Sequence, residues 1–176
     1  GTDTGIGKTI VSAMLMAGLN AHYWKPVQSG LKERTDTETV KYLTGLPDEH
    51  FHEETYRLNE PLSPHASAAI DGVEISMNNF NPPEIEPENH LVIEGAGGLM
   101  VPLNDDAMII DLIKQLDIPV LLVSRSSLGT LNHTFLSLDQ LRRYNIDILG
   151  VMMSGPLNLS NRKAIEKYGE VPVIGE

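Results

Sequence analysis

From Leu91 onward the chain keeps one rhythm, a short strand-type apolar run followed by a helix-type segment and then another apolar run. Periodicity and stop signals give strand Leu91–Ile93, helix 107–116, strand 118–123, helix 129–144, strand 148–153, helix 161–168 and strand 171–174. No hairpin dipeptide joins any two of these strands. Strands separated by helices return in the same direction through crossovers, so the expected class is α/β, a mainly parallel β-sheet flanked by helices. A chain of 176 residues, 41% of them hydrophobic, is long and apolar enough for one core, and residues 1–176 are read as a single domain.

The first half is less regular. A helix is expected over 10–19, where Ala, Leu and Met fill most faces, and Asn20 ends it. Residues 22–25 form an extended run closed by Pro26, which makes KPVQSG a strand end and turn. Thr35 or Asp36 can cap a helix running to about Leu43, with Gly45 as its stop signal. Between 46 and 89, Pro47, Pro61, Pro64, Pro82, Pro83 and Pro87 break any long element, leaving one short helix over 65–70 before Gly72. Trp24 and the methionines read as core, and the lone histidines His65 and His133 as structural.

In a parallel sheet the binding crevice lies beyond the carboxyl ends of the strands, so segments that follow strands carry the chemistry. The opening GTDTGIGKT is one of them. It resembles a phosphate loop, but five residues separate Gly1 from Gly7-Lys8-Thr9 where the usual loop has four. Gly5 and Gly7 let backbone N–H groups converge on an anion, Lys8 adds a cation at a helix start, and the Thr9 hydroxyl can ligate a phosphate-bound magnesium ion. EGAGG follows Leu91–Ile93 directly, so Glu94 is either a carboxylate exposed in a tight turn or, as the usual companion of a phosphate loop, a metal carboxylate at the crevice, and the small residues through Gly98 permit close backbone approach. Lys25, at a strand exit fixed by Pro26, reads either as a solvated lysine or as a cation that neutralises charge on a moving phosphoryl group, and Ser29 brings a hydroxyl to the same turn. Asp36 reads equally well as a metal ligand or a helix N-cap. The segment SSLGTLNHT leaves free N–H groups at a helix start, which makes it an anion site or simply a cap.

Composition removes several classes of function. A formal net charge of -11 speaks against an electrostatic grip on nucleic acid or an anionic membrane. With no cysteine there is no disulfide, thiolate metal site or cysteine nucleophile. No apolar run approaches a membrane span, and the reading is a soluble, cytoplasmic protein. A phosphate loop normally follows a buried strand, so a first strand before Gly1 and a further segment after Glu176 are expected.

Taken together, GTDTGIGKT at 1–9, KPVQSG at 25–30, the Asp36 region, EPLSPH at 60–65, EGAGG with VPL at 94–103 and LGTLNH at 128–133 resemble the dethiobiotin synthetase family, in family order and over nearly the whole chain. The resemblance implies a P-loop NTPase-like fold and a variant loop in which Thr2, Asp3 and Thr4 replace the first glycine. It implies that Thr2, Asp3, Thr4, Gly5, Ile6, Gly7, Lys8 and Thr9, with Glu94, Gly97 and Ser154, bind ATP. Thr9, Asp36 and Glu94 then correspond to the Mg2+ ligands, and Lys8, Lys25, Thr4 and Ser29 to the catalytic groups.

The implied reaction adds CO2 to an amine of 7,8-diaminopelargonate, phosphorylates the carbamate with ATP and closes the ring to dethiobiotin. Lys25, Ser29, Gly97, Leu128, Gly129, Thr130 and Asn132 correspond to the substrate site, which in this family lies at a homodimer interface. Ser154 stands where the family often places Asn for the adenine base, which leaves ATP against CTP open. Two rivals share the fold. A dimeric partitioning-type ATPase switch usually carries an extra lysine early in its loop, absent from Gly1 to Gly5, and a cobyrinate-type ligase differs in segments such as KPVQSG.

Overall fold

A computed structural model describes residues 1–176, which fold into two compact units. One comprises 9–96 and 101–109, the other 1–8, 97–100 and 110–176. No helix is long and apolar enough to cross a membrane.

The unit containing 9–96 takes in nearly all of helix α1 (Lys8–Leu19) and then strands β1 (His22–Trp24) and β2 (Val27–Ser29), helix α2 (Asp36–Thr44), strands β3 (Phe51–His52) and β4 (Tyr56–Leu58), helix α3 (Pro64–Asp71) and strand β5 (Leu91–Ile93). Strand β1 lies between β3 and β5 and is parallel to both, and β2 pairs parallel with β4. Ala13 and Met16 of α1, Ala21, Tyr23 of β1 and Val40 of α2 form a buried cluster, with Leu46, Phe51 and Val92 packed against it. Full burial of side chains the size of Met16 and Val40 stabilises by about 1.5–3 kcal/mol each, which helps hold a strand of only three residues in place.

Helix α2 shows why its ends fall where they do. Thr35 is the N-cap, accepting from the Glu38 N–H at 3.2 Å while Glu38 Oε2 accepts from the Thr35 N–H at 2.8 Å. Gly45 ends the helix at φ 64°. Because Thr35 does the capping, the Asp36 side chain is released for other work. Gln28 fixes the same turn from β2, its Oε1 accepting from the Asp36 N–H at 3.1 Å.

The other unit runs through helix α4 (Ile109–Leu116, whose first residue belongs to the preceding unit), strand β6 (Val120–Arg125), helix α5 (Thr130–Arg143), strand β7 (Ile148–Ser154), helix α6 (Leu159–Gly169) and strand β8 (Val173–Gly175). Its sheet is parallel throughout, in the order β6-β7-β8.

Expected elements of the second half exist with ends moved by one or two residues. Helix α4 starts at Ile109 rather than 107, because Asn104 Oδ1 accepts from the Ala107 N–H and an antiparallel bridge pairs Pro102 with Met108. The first half departs further. KPVQSG is not only a strand end and turn, since Val27–Ser29 pairs with Tyr56–Leu58, and the loop-rich 46–89 contains β3 and β4.

Candidate functional site

The opening loop is held at both ends and presented in its middle. The Thr2 N–H donates to the Val123 carbonyl of β6 at 3.0 Å, Ile6 is buried, and Asp3, Thr4 and Gly5 are exposed. Lys8 Nζ turns back to the Asp3 carbonyl at 2.8 Å, and Asp3 Oδ1 accepts from the Thr4 N–H at 2.7 Å. Arg125, at the end of β6, forms an ion pair with Asp3. Gly5 and Gly7 have φ 66° and 92°, in the left-handed region that favours glycine. At Gly7 space forbids any other residue too, since a Cβ would come within 2.2 Å of Ser154 Oγ at the end of β7. Ser154 therefore packs directly on the loop.

Gly97 follows at φ 65°, and a Cβ on Gly98 would reach 3.4 Å from the Thr2 carbonyl oxygen. At the start of α5, Leu128 is fully exposed and Gly129 is a left-handed N-cap that supplies no side-chain bond. Asn132 is exposed, whereas Thr130 is buried with its hydroxyl 3.4 Å from that of Thr134.

In the unit containing 9–96 the structure brings Thr9, Lys25, Asp36 and Glu94 together. Lys25 leaves β1 and is 2% exposed, with Nζ 2.7 Å from Asp36 Oδ2 and 3.4 Å from Glu94 Oε1. Burial alone would lower its pKa, but Glu94 and Asp36 outweigh that and hold it above the ordinary lysine value, so the group stays cationic. Glu94, 4% exposed, is fixed by its own N–H donating to the Trp24 carbonyl at 3.0 Å, which continues the β1–β5 pairing. The Thr9 hydroxyl lies 2.7 Å from Asp36 Oδ1 and 3.1 Å from Glu94 Oε1, so one proton faces two carboxylates. Ser29 Oγ is buried with no partner in the protein.

Two further side chains enter the cluster that the sequence reading passed over. Ser12 of α1 donates to Glu94 Oε2 at 2.7 Å, and the Tyr23 hydroxyl donates to the same oxygen at 3.0 Å. Burial first, then the charges of Glu94 and Asp36, push the Tyr23 pKa well above its usual value and keep the phenol a donor. Spacing could have found both: Ser12 is three residues along the helix from Thr9, and Tyr23 two along the strand from Lys25. Gln28 and Arg125 carried no such signal.

The donor set can be tested against a metal. Three oxygen-bearing side chains, from α1, α2 and the residue after β5, face one another, with the Thr9 hydroxyl proton and one ammonium between the two carboxylates. Oxygen donors limited to two carboxylates and a hydroxyl suit Mg2+, which keeps several waters and is completed by substrate phosphates. The residues fit that ion.

Parallel strands flanked by helices, a glycine-broken loop opening into Lys-Thr at a helix start and a carboxylate at a strand end define a nucleotide-binding protein of the P-loop class. A family model described as an AAA domain matches residues 1–176. Over 175 residues the chain is 48% identical to the ATP-dependent dethiobiotin synthetase BioD of Rhodopseudomonas palustris strain HaA2 and 50% identical to that of Brucella anthropi. These matches cover 99% of this chain and 81% and 82% of the relatives. It is also 49% identical to the biotin biosynthesis bifunctional protein BioCD of Bordetella avium, spanning 38% of that longer protein's length. The chain belongs to the ATP-dependent dethiobiotin synthetase family.

Proposed function

We propose that this chain converts 7,8-diaminopelargonate, CO2 and ATP into dethiobiotin, ADP and phosphate, using Mg2+. The observation that carries the reading is the Lys25 ammonium buried between Asp36 and Glu94, with the Thr9 hydroxyl facing both carboxylates. A buried cation at a strand exit is what phosphoryl transfer to an anionic acceptor requires.

In the reaction, one amine adds to CO2 and loses a proton, giving a carbamate. A carbamate oxygen then attacks the γ-phosphorus as the bond to the ADP oxygen breaks. The second amine attacks the carbonyl carbon, phosphate departs with that amine's proton, and the ring closes. The middle step gathers the most negative charge.

The loop amides from Thr2 to Thr9, with Lys8, would cradle the triphosphate, and Thr4 would donate to its oxygens. Thr9, Asp36 and Glu94 would hold Mg2+, which when bound neutralises phosphate charge. Lys25 has a third N–H for the carbamate or the transferring phosphoryl group, and the unpartnered Ser29 hydroxyl would hold the carbamate. Gly97 would let the backbone approach both ligands. Ser154 would border the nucleotide from its place against Gly7. Leu128, Gly129, Thr130 and Asn132, at the N-terminus of α5, would receive the substrate carboxylate across a homodimer interface in the cytoplasm.

The test is ADP release with each substrate omitted in turn. Release that requires 7,8-diaminopelargonate and bicarbonate together is expected, with dethiobiotin formed in equal amount. Equal ATP turnover without the diamine would replace this reading with that of an ATPase switch.

A further inference from the structure

The Glu94 carboxylate is gripped unevenly, and the grip follows a pattern. Helix α1 gives one donor to each oxygen, Thr9 to Oε1 and Ser12 to Oε2. Strand β1 and its exit do the same, with Lys25 toward Oε1 and Tyr23 to Oε2. The two bonds to Oε2 are 2.7 and 3.0 Å, while those to Oε1 are 3.1 and 3.4 Å and the Thr9 proton is shared with Asp36. A carboxylate oxygen has two lone pairs, so Oε2 is saturated by strong bonds while Oε1 is loosely held.

We infer that Ser12 and Tyr23 are positioning residues which, by donating two hydroxyl protons to Oε2 of Glu94, leave Oε1 as the single oxygen this carboxylate offers to a magnesium ion. The inference rests on Glu94 being a metal ligand, as proposed above. Tyr23 suits the task because it cannot move: its side chain lies in the buried cluster with Met16 and Val40, and its ring meets that of Phe51 at 6.2 Å. Ser12 is itself buried on α1. A carboxylate locked from behind cannot swing to chelate through both oxygens, which suits the octahedral geometry Mg2+ demands. Outer partners of this kind orient a ligand and raise its affinity for the ion.

The experiment is titration calorimetry of Mg2+ into the full chain saturated with ADP, run beside ADP binding in EDTA and melting of the nucleotide-free protein. Tyr23→Phe and Ser12→Ala are each expected to weaken Mg2+ binding about tenfold. Metal-free ADP affinity should stay at the wild-type value. A fall in melting temperature with Mg2+ affinity unchanged in both variants would make these hydroxyls structural only and overturn the inference. Where Tyr23→Phe folds poorly, Ser12→Ala alone decides. Glu94→Gln separates the two levels: wild-type Mg2+ affinity in that variant would remove the metal role of Glu94 and this inference with it. A loss in Glu94→Gln without loss in the hydroxyl variants would sink the inference and leave the function standing.

Discussion

Strand β1 has three residues, and polar groups collect at both of its ends by opposite means. At its exit, Lys25 is buried with Asp36 and Glu94 as a cation between two anions. At its start, His22 stacks between His50 and His52 with ring centroids 5.0 and 5.2 Å apart, and His22 Nδ1 lies 3.1 Å from His52 Nε2. That contact needs an N–H on one ring and a lone pair on the other, so at least one imidazole must be neutral. One end is held by opposite charges, the other by an imidazole N–H donating to the lone pair of its neighbour. Burial tolerates opposite charges that hydrogen-bond and imidazoles that keep a free lone pair. A strand this short shows both because its two ends meet different neighbours: β3 and the turn before it supply His52 and His50, while α2 and the residue after β5 supply the carboxylates.

The charged end breaks hardest. Lys25→Met is expected to cost about 3 kcal/mol of stability by urea denaturation, because Glu94 is left buried without its cation. It should also lower turnover more than it weakens nucleotide binding, the mark of a group that acts in the transition state. Unchanged stability would show that water reaches Glu94 freely. The Lys25 contribution is insensitive to pH across the neutral range. Its pKa is raised, so its stabilisation is complete below the unfolded lysine value and is lost only as pH rises through the folded one.

Asp36→Ala makes a smaller break at the same end. The Asp36 side chain is 36% exposed, so water can take its place beside Lys25 and the Thr9 hydroxyl when it is removed, and both retain Glu94. A loss of about 1 kcal/mol is expected, the usual value of a hydrogen bond to a charged group discounted for solvent. The helix itself should survive, since Thr35 and Glu38 do the capping. A loss as large as that of Lys25→Met would mean that Asp36, not Glu94, is the main partner of the lysine.

How much of this was legible in the sequence differs between the halves of the chain. After Leu91 each strand is an apolar run followed by a well-marked helix, and the order of elements was plain. Strands β2, β3 and β4 were not, because Val27–Ser29, Phe51–His52 and Tyr56–Leu58 are two or three residues long and mix polar with apolar side chains. Pairing with a neighbour makes them strands, and pairing is not a local property. In the candidate site, Lys8, Thr9, Lys25 and Glu94 stand in recognisable motifs. Asp36 was ambiguous until the capping box assigned its helix start to Thr35. Ser12 and Tyr23 were passed over, because the carboxylate they bond lies 82 and 71 positions away and only their spacing from Thr9 and Lys25 points to it.

The smallest effect lies at the histidine end and sharpens the contrast through pH. Burial first, and then the proximity of His22, hold the His52 pKa below the usual value near 6.5. A base with a depressed folded pKa binds protons more readily when unfolded, so its contribution to stability is present above the unfolded pKa and is lost as pH falls through it. Denaturation midpoints measured from pH 7.5 down to 5.5 should therefore decline, and the decline should be shallower in His52→Gln, whose side chain carries no titrating proton. His52 is partly exposed, so the difference between the two slopes should be a fraction of the loss in Lys25→Met. Parallel slopes in wild type and His52→Gln would mean that the histidines are solvated well enough to accept protons freely. The two ends of β1 would then differ in charge alone, and not in how burial is accommodated.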